Sequence, residues 1–157
     1  MLRVVEKIVS GGQTGADRAA LDVALARGLH IGGWVPKGRV AEDGAIPARY
    51  VGLVETKSAD PAVRTARNVR DSDATLILSH GPLAGGSRLT LDEAARASKP
   101  RLHLDLDRLT LASASARLAD WLAEVRPRVL NVAGPRASED PRIVADTAAL
   151  LEAALPR

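Results

Sequence analysis

Three segments place glycines beside groups that can hold an anion. The first is Ser10-Gly11-Gly12-Gln13-Thr14-Gly15, which continues into Ala16-Asp17-Arg18. The second is Gly81-Pro82-Leu83-Ala84-Gly85-Gly86-Ser87-Arg88. The third is Asn131-Val132-Ala133-Gly134-Pro135-Arg136-Ala137-Ser138. Glycine permits positive φ and close approach of the backbone to a ligand. Where such a loop opens a helix, the first N–H groups are free to face negative charge. The first segment lacks the Lys-Ser/Thr pair of a Walker loop and is not GxGxxG. Taken alone, it reads equally well as a tight strand-to-helix turn.

Arg18, Arg88 and Arg136 lie in or just before a first helical turn. A cation there is unfavourable by about 0.3–1 kcal/mol. Any one of them reads as readily as a solvated or carboxylate-paired side chain, with Asp17, Asp92 and Glu139 nearby. All three together point to a bound anion that offsets the repulsion. Trp34 could stack on a flat heterocycle and Lys37 could meet a phosphate. Core packing for Trp34 and a solvated Lys37 fit equally well. Further along, Arg64, Asn68 and Asp71 share a helix face by i+4 and i+3 spacing, with Arg67 adjacent. A polar helix face is usually solvated, so it ranks below the loops.

The elements that must position these groups follow from apolar patterning. Strand-length runs at Val4–Val9, Ile31–Val35, Gly52–Glu55, Ala74–Ser79, Arg101–Asp105 and Val129–Ala133 alternate with helical patterns. The helical patterns are Ala16–Arg27, Pro61–Asp71, Leu89–Ser98, Leu109–Glu124 and Pro141–Leu155. Such alternation predicts βαβ units around a parallel sheet. Asp60-Pro61 and Asp140-Pro141 each set a capping acid before a proline at the first helical position. Gly28 fits the end of the first helix, and Lys99-Pro100 ends the third. Pro36–Tyr50 is the longest irregular stretch, the kind of loop that often carries function. All three glycine segments thus follow strands, at the sheet edge where open α/β folds bind ligands.

A chain of 157 residues without cysteine suggests one ligand-binding domain over residues 1–157, with neither disulfides nor thiolate zinc sites. His30, His80 and His103 show no ligand-like spacing and read as ordinary surface or core histidines, so no protein-ligated metal is expected. No signal-peptide pattern opens the chain and no apolar run approaches a membrane span, which points to a cytoplasmic protein without membrane contact. The net charge of +3 is compatible with an anionic ligand. Aromatic residues make up 2% of the chain, which weighs against a base-stacking nucleic-acid platform.

Several motifs together resemble a known family. They are Ser-Gly-Gly-Gln-Thr-Gly-Ala-Asp-Arg at 10–18, and Gly-Gly-Trp-Val-Pro-Lys-Gly-Arg with Ala-Glu-Asp-Gly within 32–44. Asn-Val-Arg-Asp-Ser-Asp-Ala-Thr-Leu-Ile-Leu at 68–78, Gly-Pro-Leu-Ala-Gly-Gly-Ser at 81–87 and Leu-Asn-Val-Ala-Gly-Pro-Arg at 130–136 complete the set. In this order they resemble the molybdenum carrier family, the circularly permuted YpsA branch of the SLOG superfamily. The resemblance spans nearly the whole chain. It implies a Rossmann-like three-layer sandwich, with a mainly parallel sheet flanked by helices. It also implies molybdenum cofactor (molybdopterin) or a nucleotide as the bound ligand, and a homo-oligomer, dimer or tetramer.

Related LOG enzymes cleave N-glycosidic bonds with Pro-Gly-Gly-x-Gly-Thr-x-x-Glu. Laid from Pro82, that motif places Gly86 and Ser87 at its Gly-Thr and Thr90 at its glutamate. The phosphate-binding half is kept and the carboxylate is not. The expectation is therefore a carrier or sensor that binds a phosphate-bearing heterocycle. The alternative is a LOG-type phosphoribohydrolase using one of Asp17, Asp43, Asp71, Asp73 or Glu93. The residues expected at the ligand are Gly11, Gly12, Gln13, Thr14, Gly15, Arg18, Trp34, Lys37, Asn68, Gly81, Pro82, Gly85, Gly86, Ser87, Arg88, Gly134, Pro135 and Arg136.

Overall fold

Six parallel strands form the main sheet of the computed structural model, which describes residues 5–157. Val4, the expected start of the first strand, lies outside the described residues. In chain order the elements are β1 (Lys7–Val9), α1 (Ala16–Ala26), β2 (His30–Val35), β3 (Val40–Ala41), β4 (Gly44–Ala45), β5 (Leu53–Glu55), α2 (Pro61–Arg70), β6 (Ala74–Ser79), α3 (Gly85–Arg96), β7 (Arg101–Asp105), α4 (Leu111–Val125), β8 (Val129–Ala133) and α5 (Ile143–Ala154). The sheet order is β5-β2-β1-β8-β6-β7, and every neighbouring pair is parallel.

All six residues of β6 are buried, as continuous apolar character demands of a central strand covered on both faces. Helices α1, α4 and α5 pack together on one face, and α2 packs on α3 on the other. The core is aliphatic: Ile8, Leu76, Leu78, Leu130, Leu118 and Leu150 are fully buried. The Asp60 side chain accepts from the Ala62 N–H at 3.0 Å, with Pro61 in the first turn, so the expected cap of α2 forms. Gly28 adopts φ 70° just past α1 and ends that helix in the left-handed region.

Several elements differ from expectation. α3 opens at Gly85, four residues before Leu89, so the glycines lie inside its first turn. α5 opens at Ile143 rather than Pro141. There the Asp140 carboxylate accepts from the Arg142 N–H and from His80, and it caps no helix. The irregular stretch at 36–50 contains the short β3–β4 hairpin.

The connections explain where a ligand could sit. β8 leads to α5 on one face, while its neighbour β6 leads to α3 on the other. A crevice opens between two such strands at their carboxyl ends.

Candidate functional site

A cleft of about 650 Å³ occupies that crevice. Of the expected residues, Gly11, Gln13, Asn68, Pro82, Gly85, Gly86, Ser87, Gly134, Pro135 and Arg136 line it. Gly12, Thr14, Gly15, Arg18, Trp34, Lys37, Gly81 and Arg88 lie outside its walls. Asp17, weighed only as a hydrolase carboxylate, and Arg64, ranked below the loops, also line it, as do His80, Asp140 and Arg142, which were not expected there.

The second loop supplies the most open backbone. Ala84 precedes α3 in an extended conformation, and no side chain caps the helix. A Cβ built on Gly85 or Gly86 would meet nothing within 4 Å. The first N–H groups of α3 therefore point into open cleft, with the positive end of the helix dipole behind them.

The first loop is closed by the chain itself, contrary to the expectation of free donors there. The Ala16 N–H donates to Pro135 O at 3.2 Å. The Gln13 N–H donates to Asp17 Oδ2 at 3.2 Å and the Thr14 N–H to Gln13 Oε1 at 3.0 Å. Gly15 is needed for this closure. Its φ is 83°, and a Cβ would lie 2.2 Å from Pro135 O. The third loop is equally occupied: the Ala137 N–H donates to Thr14 Oγ1 and the Ser138 N–H to Glu42 Oε1. Glu42 also accepts from the Thr14 hydroxyl and from the Ser138 hydroxyl at 2.5 Å. These bonds, those to Ser138 and Thr14 foremost, hold the Glu42 carboxyl below its usual pKa. Glu42 thereby ties the hairpin to both loops.

The arginines resolve differently from the expected anion-bound trio. Arg18 forms a bidentate pair with Asp43 at 2.6 and 2.8 Å. Arg88 meets Asp92 at 3.3 Å, and Arg136 meets Glu139 at 2.9 Å. Carboxylates of the chain thus offset the repulsion at the starts of α1 and α3, whereas Arg136, expected at a first helical turn, lies in the loop well before α5. Arg64 enters the cleft instead. Its guanidinium lies over Gly11 and donates to Gly11 O at 2.7 Å. A Cβ at residue 11 would stand 2.5 Å from Arg64 Nη1, so glycine leaves room for that side chain. The i+4 polar face of α2 was the available signal for Arg64.

Trp34 is claimed by the same helix. Its indole N–H donates to Asp71 at 2.8 Å, and Arg67 stacks over its ring at 4.7 Å. Asn68 accepts from the Trp34 N–H at 2.6 Å and donates to the Trp34 carbonyl at 3.0 Å. Both bonds of its amide to the backbone of β2 leave it a structural brace at the cleft wall.

His80 departs from an ordinary histidine. Nδ1 lies 2.5 Å from Asp140 Oδ2 and Nε2 lies 2.7 Å from Asp146 Oδ2. Two carboxylates on one ring require both nitrogens to donate, which is the imidazolium form. Burial opposes that charge, but the bonds to Asp140 and Asp146 outweigh it and raise the pKa. No ring nitrogen remains free to act as a base, so His80 clamps the start of α5 to the end of β6. Asp17, in the first turn of α1, is buried, with 7% of its surface exposed. Burial pushes its carboxyl up to about 6, against the lowering pull of Arg64, the Gln13 N–H and Arg18.

Fold and cleft define the class: a Rossmann-like α/β protein with a polar cleft at the carboxyl edge of a parallel sheet. The chain belongs to the Circularly permutated YpsA SLOG family, whose sequence model matches residues 8–155. It is also similar to a crystal structure described as "Putative molybdenum carrier protein" from Syntrophus aciditrophicus SB. The two share 51% identity and superpose with a TM-score of 0.95, over 98% of this chain and 97% of the other. No curated protein matches the chain. Among the described residues no helix is long and apolar enough to cross a membrane.

Proposed function

We propose that this chain binds a phosphate-bearing heterocycle, a molybdopterin-type cofactor or a nucleotide, and serves as its carrier or sensor. One observation carries the reading: the uncapped, glycine-lined start of α3 opens into the main cleft at the switch point of the sheet. Backbone N–H groups at a helix start suit a phosphate, and the cationic Arg64, Arg136 and Arg142 line the same space. The solved relative described as a molybdenum carrier supports a molybdenum-related cargo. Among the described residues no group of three or more His, Cys, Asp or Glu side chains could hold a metal. The donors present fit the phosphate of such a cofactor, so molybdenum would arrive as part of the cargo.

Thr90 favours a binder over the LOG-type hydrolase. It stands where that motif has its glutamate, and its hydroxyl donates to Gly86 O at 2.9 Å within α3. Glu93, one turn on, pairs with Arg96 at 2.5 Å.

The test is melting temperature in the presence of molybdopterin, AMP, ADP-ribose and NAD. A tight ligand at 100 times its Kd is expected to add about 2.7 kcal/mol of stability. No shift with any of the four would overturn the reading. The homo-oligomer implied by the resemblance is part of the proposal, and light scattering on the purified chain decides it.

A further inference from the structure

Asp17 is a buried carboxylate in a cleft wall, and the chain leaves it without an ion pair. Arg18, next in sequence, turns away to Asp43 and to Gly12 O at 3.0 Å. Arg64, across the cleft wall, spends its hydrogen bonds on Gly11 O and Thr65 Oγ1. Among the described residues no cation lies within ion-pair distance of Asp17. Its carboxylate is met only by backbone: the Gln13 N–H reaches Oδ2 at 3.2 Å, and the Gly11 N–H also faces it. A buried carboxylate in this state costs stability, and such a cost in a cleft marks a group kept for a ligand.

The place of Asp17 in the sheet says which part of a ligand it would meet. It sits in the first turn after β1, whereas the open phosphate site sits in the first turn after β6. β8 lies between those strands, and α1 and α3 start on opposite faces of the sheet, so the two sites are at least two strand spacings apart, about 10 Å or more. In a nucleotide bound by its phosphate, the sugar hydroxyls lie nearer than that. The far edge of the base spans the gap. An ionised carboxylate only accepts, so that edge must present donors.

Resting on the phosphate-site reading, we propose that Asp17 selects the heterocycle: it accepts from the ring N–H and exocyclic amine of a 2-amino-4-oxopyrimidine edge. Guanine and pterins share this edge, and adenine does not. The structure thus assigns the cleft to a guanine nucleotide or a pterin phosphate over an adenine nucleotide.

Calorimetric titration at pH 8, where Asp17 is ionised, tests this with GMP, IMP, AMP, XMP and a 6-hydroxymethylpterin phosphate. GMP and the pterin phosphate are expected to bind at least about tenfold tighter than IMP, which lacks the amine, and than AMP. The ratio of GMP to pterin phosphate affinity tells the two sources apart. Asp17→Asn can donate to the extra carbonyl of XMP, so it is expected to lose that tenfold preference for GMP and gain XMP. Equal binding of GMP, IMP and AMP to the wild-type chain would overturn the assignment while leaving the phosphate site standing. So would an Asp17→Asn chain with an unchanged GMP preference. No binding of any of the five would overturn both readings. Were Asp17→Asn to misfold, the wild-type comparison of GMP with IMP would still decide.

Discussion

Asp17 puts a price on the cleft that can be read without a ligand. Burial raises its carboxyl from 3.8 to about 6. Between those values the folded chain holds a proton that the unfolded chain has released. Stability therefore falls as pH rises through this window, by about 3 kcal/mol once both states are ionised. Asp17→Asn keeps the shape and removes the charge. It is expected to melt higher than the wild-type chain at pH 8 and to differ little from it at pH 3.5. Scanning calorimetry at the two values checks this; an equal change at both would mean that ionisation of Asp17 does not govern its cost. A residue whose replacement stabilises the empty protein and weakens its ligand is behaving as a binding group.

At the scale of the element, α3 separates folding from binding. Gly86 has open space where a Cβ would go. Gly86→Asp exchanges a poor helix former for a better one and sets an acid in the first turn, each worth a few tenths to about 1 kcal/mol in favour of the helix. The same carboxylate would stand where the phosphate is proposed to sit. The expected outcome is a melting temperature equal to or above the wild-type value, with phosphate-ligand affinity lost in titration calorimetry. Retained affinity would move the phosphate away from α3. The elements themselves were largely legible, because each rests on a local rule. The Asp60-Pro61 cap, Gly28 and the apolar run Leu76–Leu78 all formed as read. What escaped depends on partners distant in the chain. Arg18 finds Asp43, 25 residues away, and His80 finds Asp140 and Asp146, 60 and 66 away. The β3–β4 hairpin has two residues per strand, too few to carry an alternating pattern. α5 starts later even though Asp140 Oδ1 still accepts from the Arg142 N–H, with His80 held on its other oxygen. In the site, the glycines of α3 were visible as a motif, but the closure of the first loop by Pro135 O was not.

Across the whole molecule, these groups combine into one pH profile. On the acid side, Glu42, Asp43, Asp71 and Asp105 are all held below their usual pKa by hydrogen bonds. Their stabilising contribution is complete above the unfolded carboxylate range and is lost as pH falls through their folded values. Asp17 acts in the opposite direction from about pH 4 to 6. His80 continues that trend. Its folded pKa lies above the usual 6.5, so its clamp contributes fully below that value and is lost as pH rises through the folded pKa. His103, lowered by burial, opposes His80 in the upper window, and the acids and Asp17 set the stability maximum on the mildly acidic side. Melting temperature measured from pH 3 to 9 is expected to peak there and to decline in two stages. Each stage has its own control. Asp17→Asn is expected to flatten the decline below pH 6, and His80→Gln, which cannot become charged, the decline above about 6.5. The second substitution also releases the start of α5 from β6, so it should speed amide exchange in residues 140–146 at pH 6 and much less at pH 9. A profile that kept its upper decline in His80→Gln would show that the imidazolium clamp does not hold this wall of the cleft.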